Sequence, residues 1–475
     1  MFKRLLYSSH RVLGTILSIL FLIWFLSGFV MIYHSFPQVG AADRWDKLDP
    51  LSSNLIPLDS LDIPTNDWRA IELKSITHNP TLYLSSKDTT YTLSVNGREV
   101  ESVDIWSYAK RWSMGSIAKV DTMYHLDQWN PFSSRRDHFP LYKFYFDDPE
   151  KHQLYVSSHT GEALQFTSQS SRIWAWLGAI PHWVYFTSLR QDLQLWKDVV
   201  IALSGIGAIM CLVGGIWGVD MYIKTYRRKR KWASPYKKIA YKWHHILGFI
   251  FGFFVFTFVF SGMMSLYYVP QWLVPVQSKE ITVQLQNNKP LPFDSYKGDY
   301  TELITRFPEQ IKSIQWSRFG NIPVYKVAID GNIQLFDAST PEVQPFVADE
   351  HRVRQQLDKI LSSPYSIQLL DKYDNYYVHA HHKLPLPVYK VEVADADCTT
   401  YYINPENGSI RTFNTNSRIQ KWLYGGLHSF NIKFLVDRPI LWNLVMWITM
   451  LGGTLVSGTG VWLSIQYLRR KVKKK

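Results

Sequence analysis

Cysteine is nearly absent, with two in 475 residues, Cys211 and Cys398. The first lies in a long apolar run and the second in a strand-like stretch, so the chain is expected to fold without a disulfide. No C-x-x-C-H occurs, which excludes covalent c-type haem attachment. A cysteine-ligated iron–sulfur cluster and a cysteine-rich zinc site lack their ligands as well. A Walker A loop, H-E-x-x-H and G-x-S-x-G are also missing, leaving ATP-driven transport, zinc proteolysis and serine-hydrolase chemistry without their residues. The two Gly-x-Gly runs, Gly205–Gly207 and Gly458–Gly460, sit in apolar segments where small residues pack helices. Neither opens a βαβ unit, so no nicotinamide or flavin domain is encoded.

Charge is missing from four stretches, Val12–Tyr33, Val199–Val219, Ile246–Val276 and Pro439–Ile465. Each reaches the roughly 20 apolar residues needed to cross a bilayer core. The first is too long for the roughly 7–15-residue apolar core of a cleaved signal, and it has an internal copy, so it is read as a span. The expected layout is spans at residues 12–34, 196–223, 244–268 and 439–467. Between them lie a terminus at 1–11, large loops at 35–195 and 269–438, a basic loop at 224–243 and a basic tail at 468–475.

The net charge of +13 resembles that of a nucleic-acid binder until it is located. Lys3 and Arg4, nine Lys/Arg between Lys224 and Lys242, and six from Arg469 to Lys475 account for 17 of the 52 basic residues. The other 35 stand against 39 acidic residues, so the basic character is confined to three short segments that flank span ends. Lys/Arg excess in short loops marks the cytoplasmic side, which puts both termini inside and both large loops outside. The same patch could also meet anionic lipid headgroups or an anionic redox partner.

The chain repeats itself. Residues 7–33 align without a gap on 241–267, matching Tyr7/Tyr241, His10/His244, Leu13/Leu247, Gly14/Gly248, Ser27/Ser261, Gly28/Gly262 and Tyr33/Tyr267. Farther on, His182 and Trp196 match His428 and Trp442, Leu141–Lys143 matches Val388–Lys390, and Tyr155–Gly161 matches Tyr402–Gly408. The expected fold is an α-helical bundle of four transmembrane helices in two parallel pseudo-symmetric repeats, each carrying an extracytoplasmic α+β domain. Strands are predicted at Leu141–Phe146, Gln153–Ser157, Val388–Val393 and Thr399–Ile403, and short helices at Asp299–Phe307 and Asp349–Leu361. Turns are predicted at Asn96–Gly97, Asp147–Pro149, Asp330–Asn332 and Asn404–Gly408.

Of 15 histidines, only two pairs keep their place in the repeat. His10 and His244 stand at the cytoplasmic ends of the first and third spans, and His182 and His428 stand at equal distances before Trp196 and Trp442. A single histidine at a span end is usually interfacial. Two pairs brought together by a two-fold axis suggest axial ligation of two non-covalent, b-type haems, one near each membrane surface. Across a span of about 22 residues at about 1.5 Å per residue these would straddle about 33 Å of helix. Gly14 and Gly248, one helical turn after their histidines, either let a flat ring approach the backbone or pack helices. His245 is an alternative to His244 but falls opposite Arg11. His34 matches Tyr268, has no symmetry partner, and reads as interfacial.

The run His10–Gly28 (H-R-x-L-G-x(12)-S-G), its second copy His244–Gly262, the strand and turn ending Tyr402–Gly408, and the histidine before the second and fourth spans resemble the PepSY-associated transmembrane-helix proteins. That resemblance covers essentially the whole length. It implies PepSY-like domains in both loops and a bacterial inner-membrane location with the loops periplasmic. It also implies haem ligation by His10, His244, His182 and His428, and reduction of ferric siderophores for iron release.

Binding of the acceptor is expected among Trp106, Trp112, Trp129, Trp174, Trp176, Tyr365, Tyr373, Tyr376 and Tyr377, most of which would be core. His379, His381 and His382 form a possible labile metal contact. A separate donor is required, whether a reduced flavin, a reductase or a membrane quinol. The competing reading is a non-redox siderophore or peptide transporter or scaffold with protonatable paired histidines.

Overall fold

A computed structural model of the chain describes residues 2–52, 54–64, 66–87, 90–96, 103–286, 289–380 and 384–473. Four helices are long and apolar enough to cross a membrane. The first is Phe2–Met31, the second Leu193–Lys229, the third Ile239–Met264 and the fourth Pro439–Val472. They run past the expected boundaries into the basic segments. The second span, for example, ends on Arg227, Arg228 and Lys229, cations suited to the negative end of a helix dipole, with Arg230 in the left-handed region at φ 51°. The third span is the exception on its far side. Its apolar run continues to Val276, but the helix stops at Met264, where Ser265 Oγ donates to the Gly262 carbonyl at 2.7 Å. Pro270 follows, and Asn416 holds the extended segment through the carbonyls of Val269 and Val274. Of this stretch only Val269 is buried, while Tyr267, Tyr268, Trp272 and Leu273 stay exposed, so its apolar run is no further turn of span and has the aromatic character of a membrane–water interface.

The first span packs on the second and fourth, and the third span also packs on the second and fourth. The first and third therefore face each other across the bundle. Phe25 and Phe258 meet edge to face there at 5.9 Å, within a core that includes Leu17, Phe21, Val255, Val259 and Met450.

The large loops build antiparallel sheets. Strands β1 (Ala70–Ser75), β2 (Pro80–Ser85) and β3 (Thr90–Ser94) come from the first loop. A four-stranded sheet follows, β4 (Ser116–Met123), β5 (Leu141–Asp147), β6 (Gln153–Ser157) and β7 (Ala163–Thr167), in sequence order. The second loop supplies β8 (Ile311–Phe319), β9 (Ile322–Ile329), β10 (Asn332–Asp337) and β11 (Gln344–Pro345). It then forms its own four-stranded sheet in sequence order, β12 (Tyr365–Leu370), β13 (Val388–Val393), β14 (Thr400–Ile403) and β15 (Ile410–Phe413).

The expectation of one self-contained domain at 35–195 and another at 269–438 needs correcting. Strands β1–β3 and β8–β11 join in one seven-stranded sheet of order β11-β10-β9-β8-β1-β2-β3. The seam is β1 against β8, with Leu73 opposite Ile314, both fully buried. A three-stranded β1–β3 sheet alone would leave the β1 edge unpaired, and β8 covers it. Trp316, Tyr325 and Tyr300 from the second loop share a core with Leu73, Leu82 and Leu84 from the first.

The predicted elements are otherwise found with small shifts. Helix Glu350–Ile360 starts after Asp349, whose carboxylate accepts from the Arg352 amide at 2.8 Å, and the other short helix is Thr301–Arg306. Asp330 and Gly331 both take positive φ, 49° and 76°, between β9 and β10, as a tight hairpin requires. Of the Asn96–Gly97 turn, Gly97 lies outside the described residues.

Each four-stranded sheet buries the same kind of polar cluster. Asp127 accepts from Tyr155 Oη at 2.6 Å and Lys143 Nζ at 3.0 Å. Asp374 accepts from Tyr402 Oη at 2.7 Å, with Lys390 Nζ at 3.8 Å. Tyr155 is fully buried and Lys143 nearly so, and burial together with the Asp127 carboxylate pushes the Tyr155 phenol well up, so it stays a donor. Asp127→Ala strands both donors and is expected to cost about 2–4 kcal/mol, read as a lowered thermal midpoint of the purified protein. Asp374→Ala should cost less, because Lys390 is farther away and more exposed.

Candidate functional site

The repeat-matched histidines meet in two pairs. His10 and His244 project from the first and third spans with ring centres 6.2 Å apart and planes inclined by 36°. His182 and His428 are 6.0 Å apart and inclined by 62°. The second pair does not come from spans. His182 lies on the short helix Ala179–Trp183, lowered onto the first span at Gly178, where a Cβ would stand 2.7 Å from Val30. His428 follows the π-helical turn Trp422–Gly426 and rests on the third span. The repeat-matched tryptophans anchor these segments. Trp196 Nε1 donates to the Trp183 carbonyl at 2.8 Å, and Trp442 Nε1 to the Ser429 carbonyl at 2.9 Å.

All four rings are held by the same atom. His10 Nδ1 donates to the Met210 carbonyl at 3.1 Å. His182 Nδ1 donates to the Trp24 carbonyl at 3.1 Å, with Ser27 Oγ at 3.3 Å. His428 Nδ1 donates to the Phe258 carbonyl at 3.2 Å, with Ser261 Oγ at 3.0 Å. His244 Nδ1 lies 3.0 Å from Thr459 Oγ1, whose hydroxyl hydrogen is committed to the Leu455 and Val456 carbonyls, so the imidazole donates. A carbonyl only accepts, which puts the proton on Nδ1 and leaves Nε2 with a free lone pair. That is the tautomer and bracing of a metal-ligating histidine.

His245 differs. It is buried, its Nε2 donates to the Gly218 carbonyl at 3.0 Å and its Nδ1 accepts from Ser234 Oγ at 3.0 Å. Both nitrogens are used, so His244 is the residue of the two with a nitrogen to spare.

The fit to a flat metal macrocycle rests on three observations. Two imidazoles bound on opposite sides of one metal ion, each at about 2.0 Å, have ring centres about 6 Å apart, the spacing seen in both pairs. Among the described residues no cluster of three or more His, Cys, Asp or Glu could hold a bare ion, so each pair suits a group that brings its other ligands with it. The glycine one helical turn after each inner histidine is open as well. A Cβ at Gly248 would meet nothing within 4 Å, and one at Gly14 only Met210 Sδ at 3.9 Å. The helix-packing explanation of these two glycines therefore gives way, whereas it holds for Gly207, Gly452 and Gly453, which sit against phenylalanine rings.

Glycine also admits one of the histidines, since a Cβ at Gly214 would strike the His10 ring. Gly460, Gly28 and Gly262 lie in ordinary van der Waals contact with His244, His182 and His428, at 3.6, 3.6 and 3.7 Å, and what a Cβ at Gly28 would strike is Met450. The sequence alone assigns no role to Ser27, Ser261, Gly214 or Thr459, and reads Gly460 only as a helix-packing residue. Ser27–Gly28 and Ser261–Gly262 do stand out as matched pairs, and the structure ties both to the histidine that each repeat delivers from its loop. Thr459 has no repeat signal.

Other candidates disperse. Trp112 and Tyr377 are core, Tyr373 and Tyr377 hydroxyls donate to the Leu384 and Pro385 carbonyls, and Trp129 packs on Phe36. Tyr365 Oη lies on Asp358, and Tyr376 packs against Phe413. Trp106, Trp174 and Trp176 remain exposed. His34 stacks on Trp174 at 4.3 Å. His381 and His382 lie outside the described residues.

Four apolar helices carrying mixed helices and antiparallel sheets define a membrane protein. The chain belongs to the family described as PepSY-associated TM region, whose model matches residues 85–470. A comparison with curated proteins found no match.

Proposed function

We propose that this chain is a di-haem oxidoreductase of the bacterial inner membrane that passes electrons from the cytoplasmic side to a periplasmic ferric siderophore, releasing its iron. The observation that carries this reading is the pair of histidine pairs, each with ring centres about 6 Å apart and each imidazole braced through Nδ1. Bound haem supplies a one-electron iron couple at each pair. The chain's own residues hold and orient the four imidazoles, and the carbonyls of Met210, Trp24 and Phe258 with Thr459 Oγ1 strengthen them as ligands.

Between the pairs, Phe21, Phe25, Phe258 and Met450 exclude water from the bundle. His10 and Ser27, which touches His182, stand on one helix, separated by about 25 Å of rise at about 1.5 Å per residue. This is shorter than the full span because the outer histidines are lowered onto the spans from the loops. The direction follows from the basic segments, which put the His10–His244 end on the cytoplasmic side by the positive-inside tendency. The two parallel repeats account for the identical bracing of the outer pair.

The test is a visible spectrum of detergent-purified protein, as isolated and after dithionite, with a pyridine haemochrome assay. Two low-spin b-type haems per chain, reoxidised by ferric siderophore with one electron per iron, are expected. Colourless protein from haem-replete cells would sink the proposal.

A further inference from the structure

Where the basic loop turns back on the second span, the structure forms an open surface cleft of about 660 Å³, inside the range of about 300–1,000 Å³ typical of small-molecule sites. Its walls combine aromatic faces with cations. Trp232 is 64% exposed, and Tyr226 backs one face of its indole at 5.0 Å and 24°. Tyr222 and Tyr236 line the cleft and clamp His245, at 4.3 Å and 15° for Tyr222 and 5.2 Å and 84° for Tyr236. Lys237 and Lys242 complete the rim. Neither is paired with a carboxylate among the described residues, and the nearest acidic residues in sequence are Asp220 and Glu280. His245 braces this wall with both nitrogens and adjoins His244, one of the inner pair.

We propose that this cleft is the docking site of the electron donor, and that the donor is a reduced flavin mononucleotide. Its flat conjugated ring stacks on the free face of Trp232, and its phosphate pairs with Lys237 and Lys242. A neutral quinol would leave both lysines without a partner, and an anionic lipid headgroup would leave the indole face uncovered. This inference rests on the reading of the histidine pairs as haem ligands. The reduced flavin gives up two electrons and two protons. The electrons leave one at a time toward the His10–His244 pair and reduce two ferric irons to ferrous, the protons go to water, and oxidised flavin departs.

The experiment uses the full chain in nanodiscs of zwitterionic lipid, with oxidised flavin mononucleotide and riboflavin as probes in calorimetric titrations. Trp232→Ala, at an exposed position, should weaken both probes at least about tenfold. Lys237→Ala/Lys242→Ala should weaken the mononucleotide about tenfold to the level of riboflavin and leave riboflavin unchanged. Anaerobic mixing with the reduced mononucleotide should show slowed haem reduction in both variants, with dithionite reduction unaltered. Binding indifferent to Trp232→Ala, or no binding by protein that holds two haems, overturns the inference while leaving the proposed function standing. Loss of binding on adding anionic lipid, without any response to Trp232→Ala, assigns the lysines to headgroups and also overturns it. Absence of haem from the purified protein is instead the failure of the proposed function.

Discussion

His428→Ala is expected to lower bound haem from two per chain to one and to abolish reduction of an external ferric chelate, while the remaining haem is still reduced from the opposite side. His182→Ala should do the same, because on the proposed reading each ring supplies one of the two imidazoles at that pair. His10→Ala and His244→Ala should remove the other haem instead. The spectrum of each variant distinguishes the cases, and loss of both haems from a single substitution would mean collapse of the bundle. Retention of both would refute the ligand assignment. His245→Gln should leave both haems in place, since neither nitrogen of His245 is free. Ser261→Ala tests the bracing. It removes one of the two acceptors at His428 Nδ1 and should weaken haem affinity at that pair by about tenfold, at the low end of such effects, because the Phe258 carbonyl remains.

Lys74→Met is expected to produce the largest loss of stability in the soluble part of the molecule, about 3 kcal/mol, at the lower end of the range for breaking a buried pair because the two carboxylates keep some solvent. Lys74 sits on β1 at the seam, with Ser313 of β8 as its backbone neighbour. Its ammonium bonds Glu72 at 2.7 Å and Glu162 from the β6–β7 turn, and lies 4.6 Å over the Tyr83 ring. One side chain thus ties the shared sheet to the first four-stranded sheet.

Burial alone would push the Lys74 amine down, but the two carboxylates more than offset it and hold it well above its ordinary 10.5. Burial likewise pushes Glu162 up, and Lys74 pulls it below its ordinary 4.5. A raised lysine stabilises below its unfolded value and loses that contribution as pH rises through its folded value. A lowered carboxyl stabilises above its unfolded value and loses it as pH falls through its folded value. The triad therefore contributes fully from about pH 5 to about pH 10. Within that window the thermal midpoints of wild type and Lys74→Met should differ most, and the gap should narrow on acidification below about pH 4. The triple variant Glu72→Gln/Lys74→Met/Glu162→Gln should recover much of the loss. A gap independent of pH would mean that packing of the lysine stem, and not its charge, holds the seam.

The four spans were legible because a bilayer demands long runs without charge, and nothing else in the chain supplies them. The four histidines were legible because the internal sequence match keeps only these two pairs in register. His34, His245 and the His379 cluster lacked that correspondence, and the structure puts neither His34 nor His245 into a histidine pair. Ser27 and Ser261 were visible as matches without a reason, since their task is to hold a ring that arrives from a distant part of the chain. Thr459 braces His244 through its hydroxyl, whereas His10 is braced by the Met210 carbonyl, and a main-chain acceptor leaves no mark on a sequence.

Length, charge placement and repetition by themselves determined the number of spans, their common basic side, and which histidines belong together, because those properties are local or repeat along the chain. Only the tertiary structure decided how the loops combine and how the histidines are poised. Strand β8, from the second loop, could close the open edge of β1, from the first, only once both loops stood side by side. The choice of Nε2 as the free nitrogen depended on carbonyls and hydroxyls brought to each Nδ1 by packing, and no pattern of residue types encodes that approach.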